Sequence, residues 1–152
     1  MDEIDNKEVL QQWLDKANND LRVAEYISKM HHPTPDEIIC FLCQQSAEKY
    51  LKAFVFSNGI EPEKTHDLKD VLNVCQQFNP EFSKLASSAY FLTRYAVIPR
   101  YPNDLAITTE DAKNALSNAK SVQAFVLKIF DRQIEPVVNE QPVKPQGTQK
   151  RR

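Results

Sequence analysis

The run TPDEIICFLCQQSAEKYLKAFVFSNGIEPEKTHD, Thr34 to Asp67, decides how the rest of the chain is read. Its opening, Thr34-Pro35-Asp36-Glu37, predicts a helix start. Thr34 can cap, the fixed φ of Pro35 suits the first helical position, and Glu37 can close a capping box. Apolar side chains then recur at three- and four-residue spacing, as Ile39, Cys43, Ala47, Tyr50, Leu51 and Phe54, which puts them on one helical face. Gly59 supplies a left-handed stop. A second ladder, Gln44, Glu48 and Lys52, runs one turn apart along another side, with Gln45 and Lys49 beside it. Glu48 and Lys52 are in the favourable order for an i,i+4 pair, worth only about 0.2–0.5 kcal/mol. A polar ladder next to an apolar one predicts a central helix with two neighbours. Thr65-His66-Asp67-Leu68 then predicts a turn that caps the next helix.

The same periodicity recurs on both sides of this run. Residues 1–6 are expected to fray. From about Lys7 to Met30, Leu10, Trp13, Leu14, Ala17, Leu21, Ala24 and Ile27 form the apolar stripe of a long amphipathic helix, ended by His31-His32-Pro33. A short third helix is predicted from Asp67 to about Gln77, burying Leu68, Val71, Leu72 and Cys75. Asn79-Pro80 breaks it, and Glu81 opens a fourth, with Phe82, Leu85, Ala89, Leu92 and Tyr95 inward. A loop from Val97 to Thr108 carries Arg100-Tyr101-Pro102-Asn103-Asp104. Thr108-Thr109-Glu110-Asp111 starts the last helix, whose stripe is Ala112, Ala115, Leu116, Ala119, Val122, Phe125 or Val126, and Ile129. The stretch 133–152, rich in Pro, Gln, Val and Lys and without period, predicts a disordered tail with a basic end. The fold expected is all-α, an antiparallel up-and-down bundle of four to five helices over residues 1–132, followed by that tail.

Composition narrows the function classes. A chain of 152 residues predicts one domain with a real core. With only two glycines, Gly59 and Gly147, it has no glycine-rich phosphate cradle of the P-loop or dinucleotide type. A formal net charge of −2 argues against a strongly basic nucleic-acid binder and leaves room for a local basic surface. Three cysteines, no leader and no apolar run of membrane length predict a cytoplasmic protein that does not enter a membrane. Cys40 and Cys43 form a C-x-x-C. In the middle of an apolar helical run, with no second pair, they read as small buried hydrophobes, and Cys75 reads the same way. His31-His32 has no third ligand nearby and reads as a loop, so neither a metal nor a cofactor is expected.

Several strings taken together resemble the HEPN domain (higher eukaryotes and prokaryotes nucleotide-binding). They are Cys40-Phe41, then Gln44-Gln45-x-x-Glu48-Lys49-x-x-Lys52-Ala53, then Thr65-His66-Asp67-Leu68, then Arg100-Tyr101-Pro102. The resemblance spans roughly residues 7–130. It implies an up-and-down bundle that dimerises and that works beside a minimal nucleotidyltransferase, as a toxin–antitoxin or nucleotide-handling pair. The ribonuclease branch of that family carries an Arg followed, after four to six residues, by a His. Here all three histidines lie at or before His66, and neither Arg22 nor Arg94 is followed by one at that distance. RNA cleavage without metal therefore lacks its most obvious proton carrier, and no catalytic residue is assigned.

The candidate contacts for a nucleotide or RNA are Arg100, Tyr101, His66, Lys52 and Lys49, with Gln44, Gln45, Glu48 and Asp104 in support. Arginine presents a planar fork matched to phosphate, tyrosine a face for a base, and lysine a point charge. Each also has a purely structural role open to it: Arg100 paired with Glu48 or Asp104, Tyr101 packed, His66-Asp67 a helix cap. The expectation is that Arg100, Tyr101, His66, Glu48 and Lys52 share one groove in a noncatalytic nucleotide- or RNA-binding homodimer. The alternatives are a divergent ribonuclease with a composite Arg/Tyr/His site, and a dimerising module that binds another protein.

Overall fold

The computed structural model describes residues 3–30, 33–97 and 106–139. Among these there are five α-helices and no strand: α1 (Glu3–Ile27), α2 (Asp36–Ser57), α3 (Leu68–Phe78), α4 (Ala86–Thr93) and α5 (Thr109–Asn139), with a 3₁₀ helix (Pro80–Leu85) leading into α4. The helices pack as an antiparallel up-and-down bundle with α2 in the middle, touching α1, α3, α4 and α5.

The apolar stripe of α2 explains its place. Ile39, Cys43, Ala47, Tyr50, Leu51 and Phe54 are all buried, joined by Cys40, Ala53 and Val55, so α2 is covered on nearly every side. Ala17, Leu21 and Ala24 face it from α1, and Ala112, Ala115, Ala119, Val122, Val126 and Ile129 from α5. The alanines allow close helix approach, and Ser46 uses it, donating from its buried Oγ to the Ala17 carbonyl at 2.7 Å. Toward the other end of α2 aromatic rings fill the interior: Phe82 lies 4.3 Å from Phe54 and 4.9 Å from Phe125, centroid to centroid. Val126 takes the core position, while Phe125 is half-buried against Phe82.

The helix boundaries follow side-chain chemistry. Asp67 caps α3 by accepting from the Lys69 N–H at 2.9 Å. Asn79 caps the 3₁₀ helix by accepting from the Glu81 N–H, with Pro80 behind it. Thr108 and Asp111 form a reciprocal box at the head of α5, each side chain accepting from the other's backbone N–H. Gly59 has φ +82, as a left-handed stop after α2 requires.

Four sequence expectations change. The start of α2 is not a capping box. Thr34 donates its hydroxyl to the Asp36 carboxylate at 2.5 Å instead of accepting from the helix, because an acid two residues on competes for it. Residues 3–6, expected to fray, are the first turn of α1, which ends at Ile27. The fourth helix opens as a 3₁₀ turn. α5 runs on to Asn139 through Pro136, beyond the expected boundary at 132, at the cost of the one backbone hydrogen bond that a proline cannot donate. Arg100, Tyr101, Asp104, His31, His32 and the remainder of the expected tail, 140–152, lie outside the described residues.

Candidate functional site

The polar ladder of α2 does not face solvent. Gln44 is fully buried, Glu48 is 4% exposed and Lys52 6% exposed, and all three point at the connection between α2 and α3. Spaced one turn apart, they grip it at successive points. Gln44 donates its Nε2 to the His66 carbonyl at 3.2 Å, and its own Oε1 accepts from Gln45 at 2.6 Å. Glu48 uses Oε1 for the His66 Nδ1, at 2.8 Å. Its Oε2 lies 3.8 Å from the Lys52 ammonium, the predicted i,i+4 pair. Lys52 in turn donates to the Thr65 carbonyl at 2.8 Å. No buried side-chain polar atom among the described residues is left without a partner.

Local geometry continues the clamp into α3. The Thr65 hydroxyl accepts from the Asp67 N–H, and the Thr93 hydroxyl, at the end of α4, accepts from the Leu68 N–H. Thr93 also donates to the Asp67 carboxylate at 3.4 Å. The result is an imidazole held by its root, with its side chain 65% exposed. A carboxylate against Nδ1 makes that nitrogen the donor and turns the Nε2 edge toward solvent.

Of the five residues expected in one groove, His66, Glu48 and Lys52 are brought together, joined by Gln44 with Gln45 at the edge, while Arg100 and Tyr101 lie outside the described residues. Lys49 is not part of that cluster. It sits on the α1 side of α2, ion-paired with Asp20. A cavity of about 460 Å³ opens there between α1 and α2, lined by Trp13 and Lys16 together with Glu48, Lys49, Lys52 and Glu61. Glu48 and Lys52 therefore border both the His66 clamp and this groove. Trp13, expected in the core stripe, is instead half-buried, outside the core cluster, with part of its surface in the groove. Only helix pairing decides this, since its spacing from Leu10 and Ala17 is as regular as that of any core residue.

The cysteines keep the bland reading. Cys40, Cys43 and Cys75 are fully buried free thiols. Burial pushes Cys40 and Cys75 up to about 12 and Cys43 higher still, so none is a thiolate at neutral pH. Among the described residues no group of three or more His, Cys, Asp or Glu side chains is placed to hold a metal ion. No described helix is long and apolar enough to cross a membrane.

Comparison with known proteins agrees with the geometry. The HEPN domain family model matches residues 10–129. Two solved structures are similar. ST0689, an archaeal HEPN homologue, has a TM-score of 0.61 at 25% identity, the match covering 78% of this chain and 95% of that one. TT1696 from Thermus thermophilus has a TM-score of 0.63 at 25% identity, covering 78% and 96%. No curated protein matches. With a central helix whose Gln-x-x-x-Glu-x-x-x-Lys ladder clamps a Thr-His-Asp turn, and with four-fifths of its length under the family model, the chain belongs to the HEPN domain family.

Proposed function

We propose that this HEPN protein is a noncatalytic binder of a nucleotide or RNA that acts with a nucleotidyltransferase partner. His66 carries the reading. A structural cap needs no imidazole held by a buried carboxylate with its other edge in solvent, whereas a ligand contact does. The helix that leads toward the loop bearing Arg100 and Tyr101, α4, ends at Thr93, whose hydroxyl bonds Asp67 next to His66. Beyond the loop α5 opens at Thr109, whose hydroxyl donates to Asp36 at the head of α2, at 3.0 Å. An arginine fork for phosphate and a tyrosine face for a base, on a segment that follows a helix ending beside an oriented histidine, suit a nucleotide. The missing Arg-x4–6-His spacing favours binding over cleavage. The protein is proposed to work in the cytoplasm as a homodimer.

Thermal unfolding with nucleotides and short RNAs, alone and with the nucleotidyltransferase, tests this. A ligand at a hundredfold excess over Kd adds about 2.7 kcal/mol, a rise in Tm of roughly 5–10 °C for a domain of this size. Arg100→Ala and His66→Ala should each reduce the rise. No shift with any nucleotide or RNA, in the presence or absence of the partner, rejects the reading. The same oriented His66 also favours a second one, a divergent ribonuclease. RNA cleavage by the wild type that is lost in both variants would replace binding with catalysis.

A further inference from the structure

We infer that the groove between α1 and α2 holds one ribonucleotide unit, its base on Trp13, its phosphate at Lys16 and its ribose hydroxyls at Glu61. This rests on the nucleotide-binding reading above and adds a second subsite, separate from His66 and bordering it only through Glu48 and Lys52, with its ligand class.

The ion pairs within the groove decide which groups are left for a ligand. Lys49 is taken by Asp20, and Lys52 by Glu48 and the Thr65 carbonyl. Glu48 is taken by Lys52 and His66. Of the charged residues lining the groove, Lys16 and Glu61 have no ion pair among the described residues, and both are exposed. Trp13 lies one turn before Lys16 on the same α1 face, and the core does not use it. The groove thus offers one large aromatic surface, one free ammonium and one free carboxylate. A nucleotide has a matching part for each. A base stacks on an indole whatever its identity, a phosphate meets the ammonium, and a carboxylate accepts from the ribose diol, as acidic residues do in dinucleotide sites. A longer run of phosphates would meet Glu61 and gain no second free cation among the described residues, so the site takes one phosphate. The volume, about 460 Å³, lies in the range of about 300–1,000 Å³ usual for small-molecule sites.

Trp13 is the only tryptophan in the chain, so its fluorescence reports on this groove alone. The full chain is titrated with adenosine 5′-monophosphate, its 2′-deoxy counterpart and a short oligoadenylate, and binding is followed by Trp13 emission and by calorimetry. Saturable quenching by a ribo ligand is expected, with affinity falling at least tenfold in Lys16→Glu. Preference for ribo over deoxy should shrink in Glu61→Gln. Quenching by the monophosphate identifies a free nucleotide as the source, and quenching by the oligoadenylate alone an RNA end; either supports the site. Calorimetric binding that leaves Trp13 emission unchanged, and that survives Lys16→Glu within twofold, overturns the groove and leaves the broader binding reading in place. Equal affinity for ribo and deoxy forms overturns the assignment of a ribonucleotide. No heat and no quenching with any of the three overturns the groove and counts against the broader reading as well.

Discussion

At the scale of single residues, the centre of the molecule is one carboxylate with two jobs. Glu48 balances a nearly buried ammonium and orients an exposed imidazole. Removing one member of a buried pair leaves the other charge without compensation, whereas an exposed partner can turn to water. Glu48→Ala is therefore expected to cost about 3 kcal/mol of unfolding free energy, since Lys52 would keep only the Thr65 carbonyl. His66→Ala should cost less than about 1 kcal/mol, its side chain being mostly in solvent. Urea midpoints of the two variants separate a folding residue from a ligand-facing one, and equal losses would contradict this division. The Glu48–Lys52 pair was legible in the sequence because i,i+4 spacing fixes it. The carbonyls of Thr65 and His66 as partners were not, because no local rule says which backbone crosses a buried ladder.

At the scale of elements, the connection between α2 and α3 is positioned more firmly than its lack of helical structure implies. Asp67 both caps α3 and receives the Thr93 hydroxyl from α4, so it joins two helices. Loss of such a cap typically costs about 1 kcal/mol. Asp67→Ala should lose that much in chemical denaturation, and Asp67→Asn, which still offers an oxygen to the Lys69 N–H, should recover most of it. The head of α2 shows the reverse case. The pattern Thr-Pro-Asp-Glu reads as a capping box, yet Thr34 bonds Asp36, whose other oxygen accepts from Thr109 on α5. A tertiary partner has claimed a side chain that local sequence would assign to the cap. The similar pattern at Thr108–Asp111 has no such competitor and forms the box.

At the scale of the whole molecule, the bundle seals its three thiols inside. A thiol whose folded pKa is raised keeps its proton when the unfolded chain would lose it, so the folded state binds more protons at high pH. Its contribution to stability is complete below the ordinary thiol value of 9 and is lost as pH rises through the window from 9 to about 12. Each such thiol changes the stability by up to about 1.4 kcal/mol per pH unit in that window. The urea midpoint at pH 10 is therefore expected below that at pH 8. Replacing Cys40 or Cys75 with Ala should flatten the dependence, and an unchanged slope would show that other groups set it.

Helical periodicity of 3.6 residues, the capping patterns at Asp67 and Thr108 and the break at Asn79-Pro80 made the helices, most of their inward faces and the family legible from the chain alone, because they are local properties that survive without a neighbour. The sequence also grouped Gln44, Glu48 and Lys52 as one ladder, and it placed Glu48, Lys52 and His66 in a groove with Arg100 and Tyr101. What those residues touch came from the packing of the helices. That packing placed Lys49 on the other flank with Asp20 and took Trp13 out of the core into an open groove. The physical reason is that a stripe fixes which side of a helix turns inward, while the partner met along its edge depends on how far apart the neighbouring helices stand. That distance is set by the alanines and phenylalanines of the whole bundle together.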